Sequence, residues 1–380
     1  MSLAARRGIF AGQAVLTLRV PKGQRTGTNG GHGACTGTVA HVPHSFSELT
    51  TMRLGGPIER YVPASSSKQL VEIVRDADAH AEPVLLVGGG SNLVVGDSGF
   101  EGLVVHACTT GMSYDGEILH VDAGVEWDTV VAFALAEGLG GLETLSGIPG
   151  SAGGTPVQNV GAYGTLISQF LDHVHVLDRT TGELVTLAGS KCGFGSHRQS
   201  IFKGSDRYVI VSIHLRLERT KLSQPLAYEG LAARLGLAVG DVAPVGDVRA
   251  AVLAMRRERG MVLNADDHDT WSVGSFFINP VLTEVPSQAQ NCPTYPDVAG
   301  TKLPAAWLID RAGFSPGYGK DWGRGSVRLS TRHALAVTNR GDATTLEVMR
   351  FAAHIRDGVE HVFGVRLGPE CDLVNCSFDD

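Results

Sequence analysis

Residues 138–164, GLGGLETLSGIPGSAGGTPVQNVGAYG, hold nine glycines among 27 positions, with Pro149 and Pro156 between them and Glu143 as the only charge. A flexible linker this rich in glycine would carry Ser, Lys or Glu and few Leu, Ile or Val. Here the glycines alternate with apolar residues, so the stretch reads as an ordered, buried loop. Glycine adopts positive φ at no steric cost and lets backbone N–H groups approach a ligand closely. A loop of this kind can cradle a pyrophosphate with main-chain donors. The plainer alternative is a cluster of tight turns between strands.

A second loop of the same character lies upstream. Residues 84–97, VLLVGGGSNLVVGD, read as a buried strand, three glycines, Ser91-Asn92 and a second apolar run. Strand, glycine turn and strand would offer amides and two polar side chains to an anion. No GxGxxG opens a helix here, so this is not the dinucleotide fingerprint. Two such loops about 50 residues apart point to one large phosphate-bearing cofactor.

Outward from these loops, TTMRLGGPIERYV (50–62) reads as strand, Gly55-Gly56 turn and strand. SSSKQLVEIVRDADAH follows as a capped helix with Leu70, Ile73, Val74 and Ala77 on one face. Short strands are expected at 102–106 and 118–123. A helix over 125–137 turns Val130, Ala134 and Leu135 inward and stops at Gly138. HVHVLDR and ELVTL flank a turn, and RYVIVSIHLRLER is the best strand of the chain. Residues 247–259, 303–312 and 346–362 are expected helices, the last with Leu346, Met349, Ala353 and Val359 inward. Pro225 and its polar neighbours mark a boundary.

The chain of 380 residues is long enough for two or three domains, and 43% hydrophobic with 19% charged residues fits a globular protein. A net charge of −7 without a basic stripe argues against a nucleic-acid partner. No apolar run is long enough for a membrane span. The six cysteines are scattered without a CxxC pair, which suggests reduced thiols and a cytoplasmic location. The Gly/Thr-rich segment over 21–40 suggests that residues 1–43 form a disordered extension.

Three side chains stand out chemically. Ser275, directly before Phe276 and Phe277, is a hydrogen-bond donor or proton source in a dry setting, or a serine satisfied by backbone. Arg198 is either a bidentate carboxylate clamp or a surface ion-pair partner. Glu370, between Pro369 and an apolar strand, is either a half-buried acid with a raised pKa or an edge glutamate in water. The run ADDHD (265–269) does not read as a metal site, because consecutive acids point in different directions.

TTMRLGG, GGGSN, GLETLSGIPGSAGGTPVQNVGAYG, SVGSFF-NP, AAWLID-AGF and LGPE occur in the order found in the UDP-N-acetylenolpyruvoylglucosamine reductase family, which this chain resembles over residues 44–376. The shorter-loop branch of that family also shares the run Gly260-Met261-Val262-Leu263. The resemblance implies an α+β fold: a two-lobed FAD-binding domain of the vanillyl-alcohol-oxidase (PCMH-type) superfamily over 44–219, with lobes of 44–108 and 109–219. It further implies a C-terminal substrate-binding domain over 220–376. Non-covalent FAD, NADPH as reductant and a UDP-sugar enolpyruvyl ether as substrate follow from it, in peptidoglycan precursor synthesis and so in cell shape and division. Carried onto this chain, the FAD contacts are Gly88, Gly89, Gly90, Ser91, Asn92, Leu93, Gly147, Ile148, Pro149, Gly150, Gln158, Asn159, Gly161, Ala162 and Tyr163. Ser275 matches the serine that protonates the reduced substrate carbon. Arg198 and Glu370 match the pair that steadies the enolate, and Arg259, Asn279, Tyr295 and His333 match substrate contacts. Two departures stand out. His197 replaces the usual tyrosine, with one extra residue before Arg198, and Arg259 replaces a lysine, exchanging a point donor for a planar fork. Another flavin oxidase or dehydrogenase of the superfamily, and an inactive sugar-nucleotide-binding homologue, stay open as alternatives. The oligomeric state is not legible.

Overall fold

A computed structural model of the chain describes residues 42–195 and 199–379. Most of the expected N-terminal extension, and Arg198 with His197, lie outside the described residues. The fold is α+β.

The first lobe runs β1 (Ile58–Ala64), α1 (Ser67–Ala79), β2 (Val84–Val87), β3 (Leu93–Val95) and β4 (Phe100–Ala107). β1 and β2 pair in parallel with the central β4. α1 starts where Ser66, in extended conformation, accepts a 3.2 Å hydrogen bond from the Gln69 N–H. Its Leu70, Val71, Val74 and Ala77 are buried against Leu103 and Val105 of β4. Ile73, expected inward, is only half-buried. The strand expected before Gly55 does not form. The Thr50 hydroxyl donates to the Leu54 carbonyl at 2.9 Å and accepts from its N–H at 3.2 Å, closing the segment into a loop.

The second lobe holds β5 (Met112–Tyr114), β6 (Ile118–Asp122), α2 (Trp127–Ala136) and the glycine stretch, followed by three longer strands. Its antiparallel sheet has the order Glu183–Ala188, Leu171–Asp178, Tyr208–Arg216, β6, β5. Leu119, Val121, Val174, Val176, Ile213 and Leu215 alternate onto one face and pack against Trp127, Val130, Val131 and Ala134 of α2. Gly138, at φ +75°, ends the α2 segment in the left-handed conformation expected of it.

Helices α3 (Glu229–Arg234) and α4 (Val245–Glu258) form a small cluster with Tyr163 of the glycine stretch. α4 is tied to the second lobe by a bidentate Arg249–Asp128 pair at 2.7 and 2.8 Å. Residues expected in the C-terminal unit therefore pack on the second lobe. The largest core gathers α5 (Ala305–Arg311), α6 (Thr345–Phe363), Phe276 and Phe277, with Met52 and Leu54 from the start of the described chain. α6 opens with a Thr344–Glu347 capping box and closes at Gly364, φ +65°. Leu346, expected inward, lies in the first turn and is exposed; apolar burial begins at Val348 and Met349.

The two ends of the chain are stitched together. Strand Asp372–Val374 pairs in parallel with β3. The Asp97 carboxylate accepts from the N–H groups of Thr345 and Leu346 at 2.8 and 2.9 Å, capping α6 from the first lobe. The Thr345 hydroxyl donates to the Val95 carbonyl at 2.7 Å.

Candidate functional site

Both glycine loops reach one cleft of about 560 Å³. Gly88, Gly89, Gly90, Ser91, Asn92 and Leu93 line it from the first lobe, and Ile148, Pro149, Gly150, Gln158 and Gly161 from the second. The loops touch backbone to backbone. A Cβ added to Gly89 would sit 2.6 Å from Gly150 Cα, and one added to Gly88 would sit 2.2 Å from Ser151 Oγ. Glycine is required by this close approach. The Ser91 hydroxyl closes the junction by donating to the Pro149 carbonyl at 3.0 Å. At Gly154, which also lines the cleft, an added Cβ would meet nothing nearer than Ser151 Oγ at 3.9 Å. The missing side chain there leaves room for a ligand. This cradle of small residues suits a dinucleotide held by main-chain groups.

Ser275 and Glu370 face the same cleft. Their neighbours are paired as a short antiparallel bridge, Phe277 with Pro369. The Glu370 N–H donates to the Phe276 carbonyl at 2.8 Å, and Ile278 N–H to Gly368 at 3.1 Å. The bridge fixes the two site residues relative to each other, with Phe276 and Phe277 fully buried beneath. Glu370 is 7% exposed, which rules out the edge glutamate in water. Its carbonyl accepts from Lys203 Nζ at 2.8 Å and from Asn92 Nδ2 at 3.4 Å. One backbone oxygen thus links the GGGSN loop, the second lobe and the C-terminal segment. Ser275 is half-buried and belongs to no strand.

Arg256 was not singled out by the sequence reading, yet its buried guanidinium lines the cleft. It donates to the carbonyls of Gly147 and Met261, both at 3.1 Å. The signal was its place one turn after Val252 on the inward face of α4. Thr51, Ser151, Thr155 and Ser272, all within the quoted motifs, and Thr270, outside them, are further lining residues to which no role was assigned from the sequence.

Among the described residues, several expected contacts lie off this lining, and their structural bonds say why. Gly147 (φ +68°) gives its N–H to Asp128 at 2.7 Å and its carbonyl to Arg256, a latch beneath the loop. Asn159 accepts from the Ser168 N–H at 3.1 Å and is buried, and Ala162 sits in the short strand Gly161–Ala162 behind it. Tyr163 packs edge-on against Tyr228 with ring centroids 5.4 Å apart. Asn279 caps α5 by accepting from the Ala305 N–H at 2.9 Å. Tyr295 is 52% exposed on a small three-stranded sheet. Arg259 and His333 lie near each other, off the cleft lining. Burial, with the charges of Arg259 and Arg256, pushes the His333 pKa down, and Arg259 reaches the Tyr228 hydroxyl at 3.5 Å. In ADDHD, Asp269 is spent on Ser330, Thr331, Arg332 and Arg340 at 2.7–3.1 Å.

Two lobes that meet through glycine loops over a cleft, with residues 58–188 matching the FAD binding domain family, define a flavin-dependent oxidoreductase. Residues 266–374 match the UDP-N-acetylenolpyruvoylglucosamine reductase C-terminal domain family. The UDP-N-acetylenolpyruvoylglucosamine reductase of Thermobifida fusca (strain YX) is 47% identical over 350 residues, 87% of this chain and 96% of that one. That of Nocardia farcinica is 47% identical over 348 residues, covering 88% and 90%. The chain belongs to the UDP-N-acetylenolpyruvoylglucosamine reductase family. The crystal structure of the Thermus caldophilus UDP-N-acetylenolpyruvylglucosamine reductase shares the fold at a TM-score of 0.59 and 22% identity, covering 87% of this chain and 97% of that one.

Proposed function

We propose that this protein reduces UDP-N-acetylglucosamine enolpyruvate to UDP-N-acetylmuramate with NADPH, through non-covalently bound FAD, as a cytoplasmic step of peptidoglycan precursor synthesis. The observation that carries the reading is that both glycine loops, Ser275 and Glu370 line a single cleft. We assign FAD binding to residues 44–219, with Gly88–Leu93 and Ile148–Gly150 against its phosphates and ring. Residues 266–376 and α4 close the substrate side. Bound FAD supplies the hydride that NADPH delivers.

The chain's own residues then manage charge and proton. Reduction of the enolpyruvyl double bond builds negative charge on the carbon beside the carboxylate. Arg198 and Glu370 offset that charge, the glutamate protonated or sharing a proton. The Ser275 hydroxyl donates the proton to that carbon in a site whose floor is Phe276 and Phe277. Arg256 adds a fixed positive charge at the cleft wall for the anionic substrate. Neither glycine loop contains a His or Cys. Cys371, the one cleft-lining cysteine among the described residues, has its thiol pushed far above the ordinary range by burial. Both facts favour a non-covalent flavin.

Anaerobic stopped-flow mixing of the NADPH-reduced enzyme with UDP-N-acetylglucosamine enolpyruvate tests the reading. Reoxidation of the flavin with formation of the lactyl ether is expected. A reduced flavin that ignores this substrate but reacts rapidly with O₂ would instead mark an oxidase.

A further inference from the structure

The second lobe carries four histidines on the sheet face opposite its apolar core. His120 stands on β6, His173 and His175 on the strand Leu171–Asp178, and His214 on the strand Tyr208–Arg216. The register puts His214 opposite His120 on one side and opposite His173 on the other. The rings of His173 and His214 stack at 4.1 Å, and His175 lies 4.3 Å from His214. One ring nitrogen from each of His173, His175 and His214 can be chosen so that all three lie within 4.8 Å of one another. None of the four histidines lines the cleft.

The hydrogen bonds around the cluster orient its lone pairs. His173 Nδ1 is 2.7 Å from Asp172 Oδ2, and Arg216 holds the other oxygen of that carboxylate, also at 2.7 Å. His173 thereby donates from Nδ1 and keeps Nε2 as a lone pair. His120 Nε2 is 2.9 Å from Asp115 Oδ2, and His120 Nδ1 is 2.7 Å from His214 Nδ1. With His120 donating to Asp115, its Nδ1 accepts from His214, which leaves the His214 Nε2 lone pair facing the Ser212 hydroxyl at 2.9 Å. Carboxylates or imidazoles that fix the far nitrogen of a ligating histidine are the usual outer support of a metal site.

We propose that His173, His175 and His214 form a site for a divalent ion of the zinc class, with Asp172 and the Asp115–His120 pair as orienting groups and water in the fourth position. Three imidazoles suit Zn²⁺ and leave one coordination place open. The ion ties together two neighbouring strands of the five-stranded sheet, away from the reductive chemistry.

Equilibrium dialysis of the flavin-loaded full-length protein against Zn²⁺, with thiols blocked, tests this. One equivalent is expected to bind and to raise the melting temperature. His175→Ala and His173→Gln should each abolish that equivalent and the thermal shift, while reductase activity without added metal stays at the wild-type level. Asp172→Asn should weaken binding by about 10–100-fold. Co²⁺ in place of Zn²⁺ should give the visible bands of an imidazole-ligated tetrahedral ion, absent in His175→Ala. No stoichiometric binding, or binding that survives both histidine substitutions, would overturn the proposal.

Discussion

The cleft has two walls built on different principles. On the glycine wall, residues 88–92 and 148–154 are mostly glycine, serine and alanine, and the two loops touch, as the 2.6 Å approach at Gly89 shows. The second wall brings the polar side chains of Ser275, Glu370 and Arg256; Glu370 and Arg256 are bonded to segments distant in sequence, and Phe276, next to Ser275, bonds to Leu335 and Glu370. The contrast teaches where function is fragile. Under the proposed function, damage to the first wall removes the place assigned to the cofactor, and damage to the second leaves that place intact and removes charge or proton handling.

The largest effect is expected at the glycine wall. Gly89→Val drives a branched side chain into Gly150, so the protein should purify without flavin and with no measurable reductase activity. The flavin-to-protein absorbance ratio reads this directly, and a yellow Gly89→Val protein would erase the distinction between the walls.

Next comes the scaffold of the side-chain wall. Burial tends to raise the Asp269 pKa, but hydrogen bonds from Thr331, Arg332 and Ser330 outweigh it and hold the carboxyl below its ordinary value. Its contribution to stability is therefore complete above the unfolded carboxylate pKa of about 4. It is lost as pH falls through the lower folded value. Asp269→Asn should cost about 2 kcal/mol at neutral pH and flatten the acid limb of a urea-midpoint-versus-pH curve. Parallel curves for the two proteins would mean that the carboxylate adds nothing.

Smaller still is the seam that holds the walls in register. Asp97→Ala removes the cap from α6 and should lower stability by about 1 kcal/mol, with faster amide exchange at Thr345 and Leu346. Thr344→Ala, which removes the helix's own cap, should cost a similar or smaller amount by chemical denaturation.

Much of this was legible in the sequence, for local reasons. Ser66 before an amphipathic run predicts α1, alternation predicts the strand Tyr208–Arg216, and glycines among apolar residues predict ordered loops rather than linkers. The misreadings share a cause too. Thr50 folds TTMRL into a loop through its own side chain, and periodicity carries no trace of that bond. The packing of α3 and α4 on the second lobe depends on Asp128 and Gly147, about 120 and 110 residues upstream. Arg256 and Lys203 find their partners only in three dimensions. The histidine face is the extreme case, since its members come from three strands and meet only through register.

The most direct measurement separates the two half-reactions of Ser275→Ala by anaerobic stopped-flow. The arrangement of the walls predicts NADPH reduction of the flavin at close to the wild-type rate, with reoxidation by the enolpyruvyl substrate slowed by about 10²–10⁴-fold. Equal loss in both half-reactions, or unimpaired reoxidation, would contradict the placement of Ser275 as proton donor opposite a flavin held by the glycine wall.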